Sequence, residues 1–526
     1  VKRVIFIFIL PLLAWATNAS CQQTDIKDSL PTFTYQQMLE DYDTLVSNIK
    51  QVSPIIYYNK EVRGIDFEQH ARTLRSLITP QTTTGNFLQI VAKTLRAAQD
   101  GHTGRLGTWQ LDIMKKYWIP DGHVPGIDSA DTENAYKYAA YFKQLEQTKL
   151  DLNLVYTNGE YYNLLPFIYK GKQYPAAMRL ARCNGVAIHA YVASLVETVS
   201  PLRWDRKQNR VYEETFYMHP SNFRNNTLQL EFVHHNNKVE QLNITTKDTL
   251  IFSQKSNGKY GYNSSSDSLV IHYFEQQGIF YVKLPMMIQE MGDTIKQALT
   301  TTMKDHKIRA VVVDIRGNGG GSDLTYSKFL SMIVKAPLRM NIVVGRNFSP
   351  FIQKRWQINS DTIARRPAYT FKPNTPTLKE PSMYFIQQSY DFVVPDSNTY
   401  ALDAKIYILQ DRFIYSSASN LSSLAKYSDQ LVSIGQTPDL LGGLQADPIV
   451  MMLPHSKIIF RVEPQVDFTG IEKIDDLFQN NVEHYVPYTI EQLYLRVTTK
   501  EDVNGKQYLL QHDPLFKKVL ALEKKP

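Results

Sequence analysis

The sequence predicts an α/β protein with a helical N-terminal region, a β-rich middle and a C-terminal core built on a buried, largely parallel sheet. Apolar residues recur at helical spacing from Tyr35 to Ala98, which predicts amphipathic helices. An Asn184-Gly185 pair between two short apolar runs predicts a hairpin further on. From Leu269 onward, near-continuous apolar runs alternate with helical patterns, as expected of strands covered on both faces. With 526 residues the chain is too long for one ordinary core, so two or three packed units are expected.

The first residues differ from all that follow. Lys2 and Arg3 precede the apolar run "VIFIFILPLLAW", too short and too early for a spanning helix, and the segment reads as an export signal over residues 1–21. "TNASC" places Ala19 and Ser20 before Cys21, as in a lipoprotein cleavage box, although Asn18 stands where a branched apolar residue is usual. The reading taken is acylation of Cys21 and a lipid anchor in the cell envelope, facing periplasm or exterior; ordinary cleavage after "AWA" is the alternative. The only other cysteine is Cys183, so an acylated Cys21 excludes an intramolecular disulfide and a cysteine-built zinc site. A net charge of +7, with no basic block interleaved with aromatics, argues against a nucleic-acid partner.

Residues 22–108 form the predicted helical domain. Thr34 and Gln37 make a capping-box pattern, with Phe33 and Met38 as a staple, ahead of Tyr42, Leu45 and Ile49. A second helix is expected over about Asp66 to Ile78, burying Phe67, Ala71, Leu74 and Leu77, and a third carries Phe87, Ile90, Val91, Leu95 and Ala98. Gly101 is its expected stop, which leaves His102 on a turn. Residues 109–268 comprise a weakly patterned stretch, a β-rich unit and a polar linker over Ser253 to Ser268. Residues 269–500 form the core and 501–526 an extension. Strand runs are read at Gly278–Leu284, Ile308–Ile315, Met340–Gly345, Ala404–Leu409 and Gln430–Gly435, and helices at Asp293–Met303 and Asp323–Val334. Function in such a sheet belongs to loops at the carboxyl ends of strands.

Two of those loops carry candidate chemistry. In "VVVDIRGNGGGSD" a buried strand runs into Gly319, Gly320 and Gly321, whose amides could face a phosphate, stabilise an oxyanion or simply make a tight turn. No Gly-Lys-Ser/Thr follows, so the phosphate reading is discounted. "RFIYSSASN" joins a strand to a helix and places Ser417 where a nucleophile elbow would expose a hydroxyl; Ser416 or Ser417 acting only as a helix cap is the competing reading.

These motifs resemble those of the tail-specific, or C-terminal processing, family of serine peptidases. "DIRGNGGG" is similar to the family's D-L-R-x-N-x-G-G element, and "YSSASN" to its S-A-S-E segment. "DGHT" is similar to the D-x-H-T element of the tricorn-core-like, Ser-His branch, and "AMRLARCNGVAI" to a degenerate PDZ-like segment. The resemblance implies a crotonase-like layered core with an inserted PDZ-like domain, Ser417 as nucleophile, His102 as base, and Gly320 with the Ala418 amide as oxyanion hole. It implies a polypeptide substrate and neither cofactor nor metal. The alternatives are an impaired relative that only binds peptides, and an esterase-like acyl hydrolase.

The chain departs from the family pattern in three places. Leu441 stands where the lysine branch has its base, Asn420 replaces the acid after the nucleophile, and "NVEHYVPYT" lacks the residues of the usual C-terminal element. No acid to orient the histidine is identifiable; Asp475, Asp476 and Glu483 are candidates. His234, His235 and His455 lack metal-ligand spacing, and the sequons at Asn225 and Asn243 are read as chance.

Overall fold

Thr34 accepts from the Gln37 amide while the Gln37 side chain returns to the Thr34 amide, and this capping box opens the helix Tyr35–Val52. The computed structural model describes residues 30–145, 150–258, 260–261, 268–365, 369–370, 382–438, 448–478 and 482–524. The proposed signal and Cys21 lie outside the described residues, as does Leu441. The helices Phe67–Arg75 and Thr84–Ala97 are N-capped by Asp66 and Thr83. The Tyr42 hydroxyl donates to the Ala71 carbonyl at 2.8 Å and meets Thr94 at 2.9 Å, tying three helices together.

A further helix, Ile55–Arg63, ends at Gly64 in the left-handed region. Leu77 does not join the buried face expected of it: the helix stops at Arg75, and the turn that follows exposes Leu77 to 52%. The helix Thr84–Ala97 stops at Gln99, not Gly101. Gln99 takes φ +53°, a left-handed conformation that costs a non-glycine residue energy. Tertiary bonds offset that cost: its side chain donates to the Val196 and Val199 carbonyls at 2.9 and 2.6 Å and accepts from the Leu202 amide at 2.8 Å. That anchorage fixes where Asp100 to Thr103 begin. The weakly patterned stretch contains helices at Thr108–Ile113 and Thr132–Leu145.

In the middle region, Arg179–Cys183 and Val186–Ala187 pair across Asn184-Gly185, both left-handed, and the helix Ile188–Ala193 follows as expected. The path of the sheet is Val239–Thr245, Thr227–Val233, Arg179–Cys183, Glu160–Asn163 and Leu154–Thr157.

The core sheet runs in the order Val270–Phe274, Ile279–Lys283, Ala310–Asp314, Lys405–Gln410, Leu431–Gly435 and His484–Tyr485, with every pairing after the first parallel. One face buries Ile295 and Leu299 of the helix Gln289–Asp305 together with Leu421 and Leu424. The other is covered by Val497, Leu509, Leu515, Phe516 and Val519 from the C-terminal helices. The layers are therefore helix, sheet, helix. The run at Met340–Gly345 does not enter this sheet. It belongs to the strand Leu338–Asn347, which pairs antiparallel with Met383–Val393 and Gln465–Asp467 in a separate sheet. The helix after the glycine loop is also shorter than expected, Leu324–Leu330.

The strands Ala310–Asp314 and Lys405–Gln410 are parallel neighbours, with Asp314 opposite Leu409. Their carboxyl ends emerge side by side, so the glycine loop and the serine loop meet. Among the described residues, no helix is long and apolar enough to cross a membrane.

Candidate active site

The glycine loop is held from below by an ion network. Arg316 donates to Asp314 at 2.9 Å and to Asp513 at 2.6 Å, and Tyr281 donates to Asp314 at 2.8 Å. Burial opposes ionisation of Asp314, but the charges of Arg316 and Lys283 outweigh it and hold the carboxyl well below its ordinary range. Asp513 caps the helix Pro514–Glu523, so the C-terminal segment braces this loop. Two glycines are sterically required. A Cβ on Gly320 would lie 2.6 Å from the Ser416 Cβ, and one on Gly321 would lie 2.3 Å from the Met287 carbonyl oxygen.

Asp411 joins the two loops. One carboxylate oxygen accepts from the Gly317 amide at 3.0 Å and from the Phe413 amide at 2.9 Å. Arg412 is buried, donates to the Tyr156 carbonyl at 2.6 Å and pairs with Glu214, linking the serine loop to the β-rich region. Tyr260, read from sequence as part of a linker, also reaches this loop: it bonds Arg412 and packs edge-on against Phe413.

Ser416 takes φ +53° and ψ −126°, and the helix Ser417–Leu424 begins after it with no side-chain cap bond. The Ser417 hydroxyl is buried beside the Asp323 carboxyl and, among the described residues, is not bonded to the His102 ring. Neither serine caps the helix by its side chain, which leaves the elbow reading as the physical account of the turn. Asn420, which occupies the place of the usual acid, donates to Asp323 at 3.1 Å. Asp323 belongs to the glycine loop. Its carboxyl is raised by burial, with Ser417, Asn420 and Tyr326 beside it drawing it back down. A carboxyl from the neighbouring loop thus stands beside Asn420.

The histidine is set by a local turn and a long-range strand pair. The Asp100 carboxylate accepts from the His102 amide at 2.7 Å and from the Thr103 hydroxyl at 3.2 Å. Gly104 and Arg105 pair antiparallel with Arg461 and Phe460, which brings Glu463 to the ring. Its carboxylate, only 1% exposed, lies 3.1 Å from His102 Nδ1. Sequence reasoning missed this carboxylate, which is placed where an acid could orient the ring; a lone glutamate after a four-residue strand carries no spacing signal. Of the acids considered instead, Asp476 is engaged by Arg206 at 2.9 Å, the backbone amide of Glu483 bonds Ser433, and the side chain of Asp475 lies outside the described residues. His455 sits 2.6 Å from Glu40, and His234 sits 3.4 Å from Glu240.

With Glu463 on Nδ1, the proton belongs there and Nε2 is the basic nitrogen. That nitrogen does not bond Ser417. It faces the Tyr415 hydroxyl at 3.2 Å, a residue the sequence had not singled out. The expected oxyanion donors are also occupied. The Gly320 amide donates to Asn318 Oδ1 at 2.8 Å, and the Ala418 amide to the Tyr415 carbonyl at 3.2 Å. The structure therefore gathers His102, Ser417, Gly320 and Ala418 into one place without bonding base to nucleophile. Among the described residues, no group of three or more His, Cys, Asp and Glu side chains is placed to hold a metal ion.

A family model described as Peptidase family S41 matches residues 278–460, a span that contains the glycine loop and Ser417 but neither His102 nor Glu463. No curated protein matches the chain by sequence. Among solved structures, mature CPAF complexed with lactacystin aligns with a TM-score of 0.55 at 10% identity, over 94% of this chain and 99% of that one. A second structure of mature CPAF gives 0.54 at 11% identity, over 93% and 98%. The photosystem II D1 C-terminal processing protease gives 0.35 at 15% identity, over 89% and 98%. The likeness to the two CPAF structures is one of fold, extending along nearly the whole chain.

Proposed function

We propose that this serine-type peptidase, whose residues 278–460 match the S41 family, is an exported endopeptidase of the tail-specific type using Ser417, His102 and Glu463. The observation that carries the reading is the buried Glu463 carboxylate on His102 Nδ1, on a turn that also touches the serine loop. In the reaction, His102 Nε2 takes the Ser417 proton while Oγ attacks a peptide carbonyl. The carbonyl electrons move onto oxygen, which the Gly320 and Ala418 amides stabilise once they are turned to it. Collapse expels the amine, which receives the proton from His102. Water, deprotonated by the same nitrogen, then attacks the acyl carbonyl, and as the bond to Ser417 Oγ breaks His102 returns the proton to that oxygen. Glu463 holds the ring and stabilises the imidazolium formed in each half. It also supplies the acid whose apparent absence had favoured an impaired, binding-only relative.

The layered sheet supports a crotonase-like core, and the Arg179–Ala193 hairpin and helix support a PDZ-like unit that holds the extended substrate. Arg412, tied to Tyr156 and Glu214, would couple that unit to the serine loop. Cys21 is assigned as the acylated anchor, from the basic and apolar run before it. A fluorophosphonate probe tests the catalytic reading. Labelling is expected in the intact protein and lost in Ser417→Ala and His102→Ala; labelling that persists in Ser417→Ala refutes it.

A further inference from the structure

We infer that Tyr415 is a two-ended latch that keeps this site at rest, its hydroxyl on His102 and its carbonyl on the Ala418 amide, and that an extended peptide releases it on binding. The inference rests on the Ser417–His102–Glu463 reading and adds a regulatory step to it.

The two ends engage the two groups the reaction needs. Glu463 occupies Nδ1, so Nε2 is the nitrogen that must receive the serine proton, and the Tyr415 hydroxyl sits on it at 3.2 Å. The Ala418 amide, one of the two oxyanion donors, spends its hydrogen on the Tyr415 carbonyl at 3.2 Å. Meanwhile the buried Ser417 hydroxyl is not bonded to His102 and lies instead beside the Asp323 carboxyl. One residue thus engages both the base and an oxyanion donor, two positions before the candidate nucleophile in the chain.

The fold makes room for both ends. A Cβ on Gly101 would stand 3.2 Å from the Tyr415 hydroxyl oxygen, and one on Gly320 would stand 2.7 Å from the Tyr415 carbonyl oxygen. The Tyr415 amide donates to the Asn318 carbonyl at 3.0 Å, docking the latch on the glycine loop, whose Gly320 amide is turned to Asn318 Oδ1 at 2.8 Å. Ser416, the next residue, has φ +53° and ψ −126°, a strained conformation that persists only while its surroundings hold it. Rotation there would swing Tyr415 off His102 and change the aim of the Ala418 amide together. A peptide carbonyl entering the site competes for both amides.

The test uses the full chain. Tyr415→Phe keeps the ring and removes the hydroxyl that bonds Nε2. Losing one such bond should raise the fluorophosphonate labelling rate about two- to tenfold. In a Ser417→Ala background, adding a casein-derived peptide should shift the ¹⁵N resonance of His102 Nε2 toward the position it takes in the Tyr415→Phe, Ser417→Ala double variant. Labelling that is unchanged or slower in Tyr415→Phe, or a resonance the peptide leaves in place, overturns the latch. If Ser417→Ala still abolishes labelling in that case, the peptidase reading stands alone. If neither the native protein nor Tyr415→Phe is labelled, the catalytic reading fails and takes the latch with it.

Discussion

Replacing Glu463 with glutamine removes one charge and almost no volume, so it isolates what the carboxylate does for His102. The two groups are 3.1 Å apart, and the carboxylate is 1% exposed. At an effective dielectric constant of about 20, an imidazolium and a carboxylate at that separation attract by about 5 kcal/mol. Spread over the transition states in which His102 is charged, this corresponds to about 10⁴ in rate, the size of loss found when a triad acid is neutralised. Glu463→Gln should therefore lower the second-order labelling rate with a fluorophosphonate by about 10³ to 10⁴. Casein hydrolysis should fall in parallel, with thermal unfolding measured alongside to confirm that the fold survives. A loss of less than about tenfold in a folded variant would refute the assignment of Glu463 as orienting acid.

Asp411 and Cys21 offer separate tests. Asp411→Ala strands the Gly317 and Phe413 amides and should destabilise the protein by about 2–4 kcal/mol in urea unfolding, because each unmatched donor costs about 1–3 kcal/mol and the carboxylate is only half-buried. Asp411→Asn keeps the accepting oxygen and should restore most of that loss; equal effects from both variants would dismiss the role given to the two amide bonds at Asp411. Burial raises the Asp411 carboxyl above its ordinary 3.8, so the fold prefers it protonated. Its contribution is most favourable below 3.8 and is lost as pH rises through the folded value, a slope that Asp411→Asn should remove. Cys21→Ala should move the protein from the detergent phase to the aqueous phase on phase partitioning, and retention in the detergent phase would contradict acylation there.

The loops that carry Ser417 and Gly320 are legible in the sequence because each joins a continuous apolar strand to a helix, a local pattern that survives folding intact. His102 is legible as a residue just past a helix end, although the helix stops at Gln99 for a tertiary reason: its side chain bonds Val196, Val199 and Leu202. Glu463 is not legible. Its partner lies 361 positions away, and the two are joined through a strand only two residues long. The run at Met340–Gly345 reads as a core strand by composition, but its antiparallel partner at Met383–Val393 takes it into another sheet. Tyr415 escapes notice because an aromatic beside a candidate nucleophile has no distinguishing spacing, and its contact with the ring arises only once His102 is folded against it.

The short pairing of Gly104–Arg105 with Arg461–Phe460 also sets a timetable. The histidine emerges early in synthesis, but its carboxylate arrives 361 residues later, and Asp513, which braces the glycine loop through Arg316, later still. A growing or truncated chain that stops short of Glu463 carries His102 and Ser417 without the carboxylate that meets the ring in the folded protein. On the catalytic reading proposed above, the site cannot assemble until the segment bearing Glu463 has been made and folded back onto the turn that bears His102.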